Sequence, residues 1–289
     1  MAGFAKKVLI GASLAAGLSV VAGAPAQALN ITFHGEEHIK SYTHQDGNLW
    51  VDADASYLTD NDLTTNVELW VNDENPLANV GFTATEGDHT VIVESVTAAD
   101  WAEYGTKWLG DLFANYAPLN AVWQTLDDTI KAMAIDAFTT YGGSGDPNIA
   151  EFTLNETGAV GIKMAGWYDL RTKIDPIIAA AKTILQVQAA FGDAEAGATL
   201  SNITLFEGAL DDIDGPLQIS EIAKVTINGE VNYAYSFKAE ESGFVAKDDN
   251  KSYSGIYSWK SVPEPSTILG LMAVGGLLAA SKRKSNKNA

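Results

Sequence analysis

From Ile31 to Val96 apolar and polar residues alternate with a period near two, the pattern of strands with one face turned to a core. Val51, Ala53, Ala55 and Tyr57 alternate with Asp52, Asp54 and Ser56, and Val67, Leu69 and Val71 with Glu68 and Asn72. Asp60-Asn61-Asp62 and the segment 72–76 supply turns, and Thr90 to Val96 forms a further strand. The period then lengthens. Asp100 can cap a helix that carries Trp101, Tyr104, Trp108, Leu112 and Tyr116 on one side. Pro118 fits the first turn of a second helix, with Leu119, Val122, Trp123, Leu126, Ile130, Met133 and Ala137 at helical spacing. After the glycine-rich stretch 141–147, two strands are expected near 149–154 and 160–167. A third helix is predicted with Asp175 as cap and Pro176 at its start, ending before Gly192. Beyond Thr199 the reading returns to strands, with Asn228-Gly229 as a two-residue hairpin and Tyr253 to Trp259 as the last strand. The pattern predicts an α+β domain, β-rich and mostly antiparallel, with about three helices packed on a sheet.

Both ends of the chain differ from this domain. Lys6 and Lys7 precede an uncharged stretch, Val8 to Ala24, and Ala26-Gln27-Ala28 places small residues where a signal peptidase cuts. Residues 1–28 are read as a signal peptide cleaved after Ala28. At the other end, Val262-Pro263-Glu264-Pro265-Ser266-Thr267 leads into an uncharged run from Ile268 to Ala280, followed by Lys282, Arg283 and Lys284. As a helix, the run spans about 20 Å at ~1.5 Å per residue, short of the roughly 30 Å hydrocarbon core. The basic cluster can snorkel to the headgroups and fix the tail on the cytoplasmic side. A C-terminal membrane helix over 268–280 is therefore expected, marginal as an anchor and suited to removal.

The hexapeptide, the apolar helix and the basic end, in that order, resemble the PEP-CTERM sorting domain of exported proteins in Gram-negative bacteria that secrete exopolysaccharide, cyanobacteria among them. The resemblance covers Val262 to about Lys284. It implies that an exosortase, a membrane-embedded processing enzyme, reads Pro263, Glu264 and Pro265, and that the product goes to the cell surface, outer membrane or extracellular space. The middle region between Ser144 and Asp169 loosely resembles cyanobacterial proteins with such tails, which implies no activity. Three segments follow: a signal peptide (1–28), an exported acidic domain (29–261) and a sorting tail (262–289).

The exported segment holds 36 acidic and 12 basic residues, a net charge of −24. Nucleic acid and anionic lipid surfaces are poor partners for such a surface, whereas cations, or acidic polysaccharide bridged by them, are compatible with it. The chain has no cysteine, so thiolate metal sites, cysteine nucleophiles and disulfides are excluded, and burial of apolar surface must stabilise the domain.

Candidate chemistry is sparse. His34-Gly35-Glu36-Glu37-His38 matches a zinc-hydrolase pattern that requires both histidines on one helix; the strand-like residues before it and the internal glycine favour a turn. Asp212-Ile213-Asp214-Gly215 and Asp60-Asn61-Asp62 resemble the start of a calcium loop without its terminal glutamate, so Asp212 and Asp214 are candidate calcium ligands, and ordinary Asp turns are the alternative. Strand phase puts Trp50 with Asp52 and Asp54, and Trp70 with Glu68 and Asn72, as in a sheet face that stacks sugar rings; burial of both rings under the helices is the competing expectation. No serine elbow, phosphate loop or assignable carboxylate pair is present. The expected protein is a non-enzymatic surface or extracellular-matrix protein without a cofactor, calcium being the one candidate. Its expected partners are the secretion machinery with its signal peptidase, an exosortase, the membrane through the C-terminal helix and extracellular polysaccharide, and not nucleic acid. A carbohydrate-binding domain assisted by calcium, and a secreted hydrolase, are the alternatives.

Overall fold

The computed structural model describes residues 29–261 apart from 44–48, 73–75, 127, 129–130, 133–134, 136–144 and 248. The signal peptide, its Ala26 and Ala28, the sorting hexapeptide, the 268–280 run and the terminal basic cluster lie outside the described residues. Among those described, no helix is long and apolar enough to cross a membrane.

Among the described residues twelve strands form two antiparallel sheets. The smaller joins β1 (Asn30–His34), β5 (Gly81–Glu86), β6 (His89–Glu94), β9 (Ala223–Ile227) and β10 (Glu230–Ala234), in that order. The larger runs β11 (Ala239–Glu241), β12 (Gly255–Ser261), β8 (Val160–Gly166), β7 (Asn148–Leu154), β4 (Thr65–Leu69), β2 (Ile39–Thr43) and β3 (Leu49–Asp52). Alternation gives each sheet one apolar face, and the two faces meet in a dry core that includes Ile39, Val67, Phe82, Val93, Phe152, Ile162 and Tyr257. Phe82 of the small sheet meets Phe152 of the large one edge to face, 5.1 Å between centroids.

The four helices described over their whole length come in two consecutive pairs: α1 (Ala98–Asn115) with α2 (Ala117–Thr125), between β6 and β7, and α3 (Arg171–Ala190) with α4 (Ala194–Asp211), between β8 and β9. They do not lie across a sheet in the expected manner, because each sheet already covers the other. Instead Trp101, Trp108, Leu112, Leu119 and Trp123 join Leu210, Leu217 and Ile222 in a second core, against which Tyr233, Tyr235 and Phe237 pack. The expected third helix starts at Arg171, before Pro176, so proline sits inside it. A proline there leaves the carbonyl one turn upstream without its helical donor; the Thr172 carbonyl accepts from Lys251 Nζ at 3.5 Å. The strands expected beyond Thr199 are replaced up to Asp211 by α4, which Asp193 caps through the Ala196 amide at 3.0 Å. The strand expected through Tyr57 stops at Asp52, and residues 55–58 form a short 3-10 turn. Asn228 and Gly229, with φ of 50° and 88°, make the expected hairpin between β9 and β10.

Asp100 does not cap α1 itself. Thr97 is the cap, and Asp100 completes the reciprocal box by accepting from the Thr97 amide at 2.9 Å. The same carboxylate accepts from Asn79 at 2.8 Å and from Lys224 of β9 at 2.8 Å, so it joins the helix start to the small sheet. Burial would raise its pKa, but Lys224, Asn79 and Thr97 outweigh it and hold the group at about 2. Because the folded value lies below the ordinary 3.8, this contribution is complete above that value and is lost as pH falls towards 2. Asp100→Asn should cost about 1–3 kcal/mol at neutral pH. Urea unfolding should show the gap from wild type narrowing as the medium is acidified to near pH 2.

Candidate functional site

Tyr104, Lys107 and Asp111 recur at spacings of three and four along α1 and so share one face. That face meets the end of β10, the edge strand of the small sheet. The Tyr104 ring stacks on Tyr233 at 4.1 Å between centroids, 19° from parallel, and meets Tyr235 at 5.7 Å edge to face. Trp259 of β12 and Asn232 complete an open groove of about 520 Å³, with Val231 at its lip, 50 % exposed. Aromatic walls with a few convergent polar groups are the usual make-up of a small-molecule site.

The polar groups hold one another in place. Lys107 Nζ donates to Asp111 Oδ2 at 2.5 Å and to the Tyr235 hydroxyl at 3.2 Å, and the Tyr235 hydroxyl donates to the same carboxylate. Lys107 also lies 5.7 Å from the Tyr104 ring centre and 5.9 Å from that of Tyr235. Burial, then the hydrogen bond with Asp111, pushes the Tyr235 phenol up to about 12; burial, then the charges of Asp100 and Glu103, does the same for Tyr233. Tyr104 is driven up further by burial and by Tyr235. All three phenols are therefore held in the protonated form at neutral pH, where each can donate a hydrogen bond. Burial works to raise Asp111, but Lys107 and Tyr235 overcome it and hold the carboxyl below its usual range.

The residues singled out in the sequence fall elsewhere. Trp50 lies on the outer face of the large sheet, 48 % exposed, with its ring edge-on to Tyr42 at 5.1 Å. Trp70 lies beyond the end of β4 with φ of 90°, 4 % exposed in the dry core and stacked on His38 at 4.2 Å. The two rings form no common platform, because β4 ends at Leu69 and the positive φ breaks the alternation that would have put Trp70 on the outer face. His34 ends β1, Gly35 turns the chain at φ 71°, and His38 closes a 3-10 turn; without an α-helix the histidines cannot form the zinc pair. His34 instead bonds Glu94 at 3.2 Å. Asp60 and Asp62 cap the turn amides of Asp62 and Thr64 at 2.8 and 2.9 Å. Asp212 and Asp214 are exposed at the end of α4, and among the described residues no three histidine or acidic side chains are grouped to hold a metal ion. The groove was missed because Tyr104 and Tyr233 lie 129 residues apart in sequence; the repeated Tyr233-Ala234-Tyr235 was its one local sign.

Residues 261–284 match the family model of the PEP-CTERM protein-sorting motif, starting at Ser261, the last residue of β12. No curated protein and no solved structure matches the chain. The chain thus carries a PEP-CTERM sorting tail, the mark of a protein that an exosortase sorts to the cell surface. Within the groove, Tyr235→Phe should cost about 1 kcal/mol and let the Asp111 carboxyl rise towards its ordinary pKa. Carbon-detected NMR titration of that carboxyl would show the upward shift.

Proposed function

We propose that the exported domain is a non-enzymatic carbohydrate-binding protein of the cell surface or extracellular matrix, which holds extracellular polysaccharide in the Tyr104–Trp259 groove. One observation carries this reading: four aromatic rings from three separate elements line one open groove with Lys107 and Asn232 at hand. Aromatic faces suit the C–H faces of pyranose rings, and the amide and ammonium supply directional bonds to hydroxyls or to acidic sugars. The neutral phenols fit binding better than proton transfer. Trp50 remains available as a separate exposed ring; Trp70, being buried, has no part in the proposal.

Delivery in this reading follows the two ends of the chain. Signal peptidase cuts after Ala28, and the exosortase reads Pro263, Glu264 and Pro265 while the apolar 268–280 segment and Lys282, Arg283 and Lys284 hold the tail in the membrane. Two measurements check the proposal. Calorimetric titration with acidic and neutral polysaccharides should show binding that weakens by about tenfold for each of Tyr104→Ala and Trp259→Ala. Asn232→Ala, which leaves every ring in place, should weaken it less, and unchanged melting temperatures would separate lost contacts from lost folding. Undiminished binding in all three variants would sink the groove. For the tail, replacing residues 263–265 by alanine should leave the 268–280 segment on the protein in the membrane fraction, as read by mass spectrometry; wild-type protein at the surface should lack it.

A further inference from the structure

A second concavity lies on the outer face of the large sheet, away from the aromatic groove. Glu68, Asn148 and Ala165 are direct neighbours in the strand register across β4, β7 and β8, and they share the lining of a cavity of about 250 Å³ with Asp146, Glu221 and Asp249. Asn148 is 7 % exposed, and its side-chain oxygen has no hydrogen-bond partner. A buried amide oxygen left so is costly, and it attracts a proton donor or a cation. Its backbone amide is already engaged, donating to Glu221 Oε2 at 2.8 Å, which fixes both residues at the wall. Asp249 is held by the amides of Lys251 and Ser252 at 2.8 and 2.9 Å. Lys173 is the cationic side chain in the lining, against four carboxylates. The site is rich in oxygen acceptors and poor in positive charge.

We propose that this cavity is a divalent-cation site, filled by calcium bound through the Asn148 side-chain oxygen and the surrounding carboxylates, in part by way of water. Calcium takes six to eight oxygens, accepts amide oxygens and tolerates irregular geometry. Carboxylates alone do not complete the shell, since no three acidic side chains among the described residues are grouped tightly enough; the amide oxygen and water supply what they lack. The site is independent of the aromatic groove.

The test uses the full chain in detergent, stripped with chelator and titrated with calcium chloride in a calorimeter. The expected result is saturable binding and a rise in melting temperature with calcium. Asn148→Ala and Glu221→Gln should each weaken binding on the order of tenfold to a hundredfold, while Asp212→Asn with Asp214→Asn should leave it unchanged. Terbium luminescence gives a second readout that tolerates no loss of fold. Terbium should be sensitised by Trp167, which lines the cavity, and the signal should fall in Trp167→Phe and on addition of calcium. Absence of calcium binding in the wild type, binding insensitive to Asn148 and Glu221, or terbium emission indifferent to Trp167 would each overturn the assignment.

Discussion

Ile149 and Phe152 stand three residues apart on β7, a spacing that a regular strand would send to opposite faces, yet both lie in the dry core between the sheets. The register slips by one between Ile149 and Glu151. A bulge of this kind lets two consecutive residues, Ala150 and Glu151, turn outward together, and inward alternation resumes at Phe152. The pairing of β7 with β8 is phased by it. Phe152 meets Phe82 of the opposite sheet, Glu151 meets Lys163 across the outer face at 2.6 Å, and Asn148 keeps its place beside Ala165 and Glu68. A strand without the extra residue would have to bury Glu151 or expose one of the two large apolar groups.

Two large cores, with a smaller cluster of Tyr42, Ala150, Ala165, Ala246, Tyr253 and Ile256 on the outer face of the large sheet, stabilise a chain without cysteine. The inter-sheet core is made by period-two alternation, and the helical core by tryptophans and leucines of α1, α2 and α4. Asp100 is the polar joint between them, bonded at once to the helix cap, to Asn79 and to Lys224. With acids outnumbering bases three to one in 29–261, paired acids are the minority, and the unpaired excess must face water or gather where cations can reach it.

The strands were legible where alternation was strict and short turns bounded it: β4, β6, β7, β8 and the Asn228-Gly229 hairpin stand close to where the pattern puts them. α1 and the start of α2 were legible from their aromatic spacing, but α2 stops at Thr125, where Leu126 turns to extended backbone, instead of running on through Leu126 towards Ala137; Ile130, Met133 and Ala137 lie outside the described residues. α4 was not, because its apolar residues are scattered around the helix, and its Leu205 is 55 % exposed, so no stripe announced it. The start of α3 was misplaced because proline is commonest in a first turn, whereas here a lysine from a distant loop supports the broken bond. Trp70 illustrates the limit of phase arguments. One residue past the end of a strand, a positive φ reverses the side on which a ring emerges. Neither the groove nor the cavity could be read from local pattern, since each is assembled from segments a hundred or more residues apart.

Strand direction places the two sites differently with respect to the tail. β12 runs from Gly255, opposite Gly166, to Ser261, opposite Val160. Trp259, a wall of the groove, is four residues from Pro263, which bounds their separation to about 14 Å of extended chain. The cavity borders Gly166 at the other end of the same strand pair, about 20 Å away at ~3.3 Å per residue. In the proposed reading, a processing enzyme that engages residues 263–265 would work near the end of the domain that carries Trp259. In the same reading a cation in the cavity can bind before or after the tail is processed.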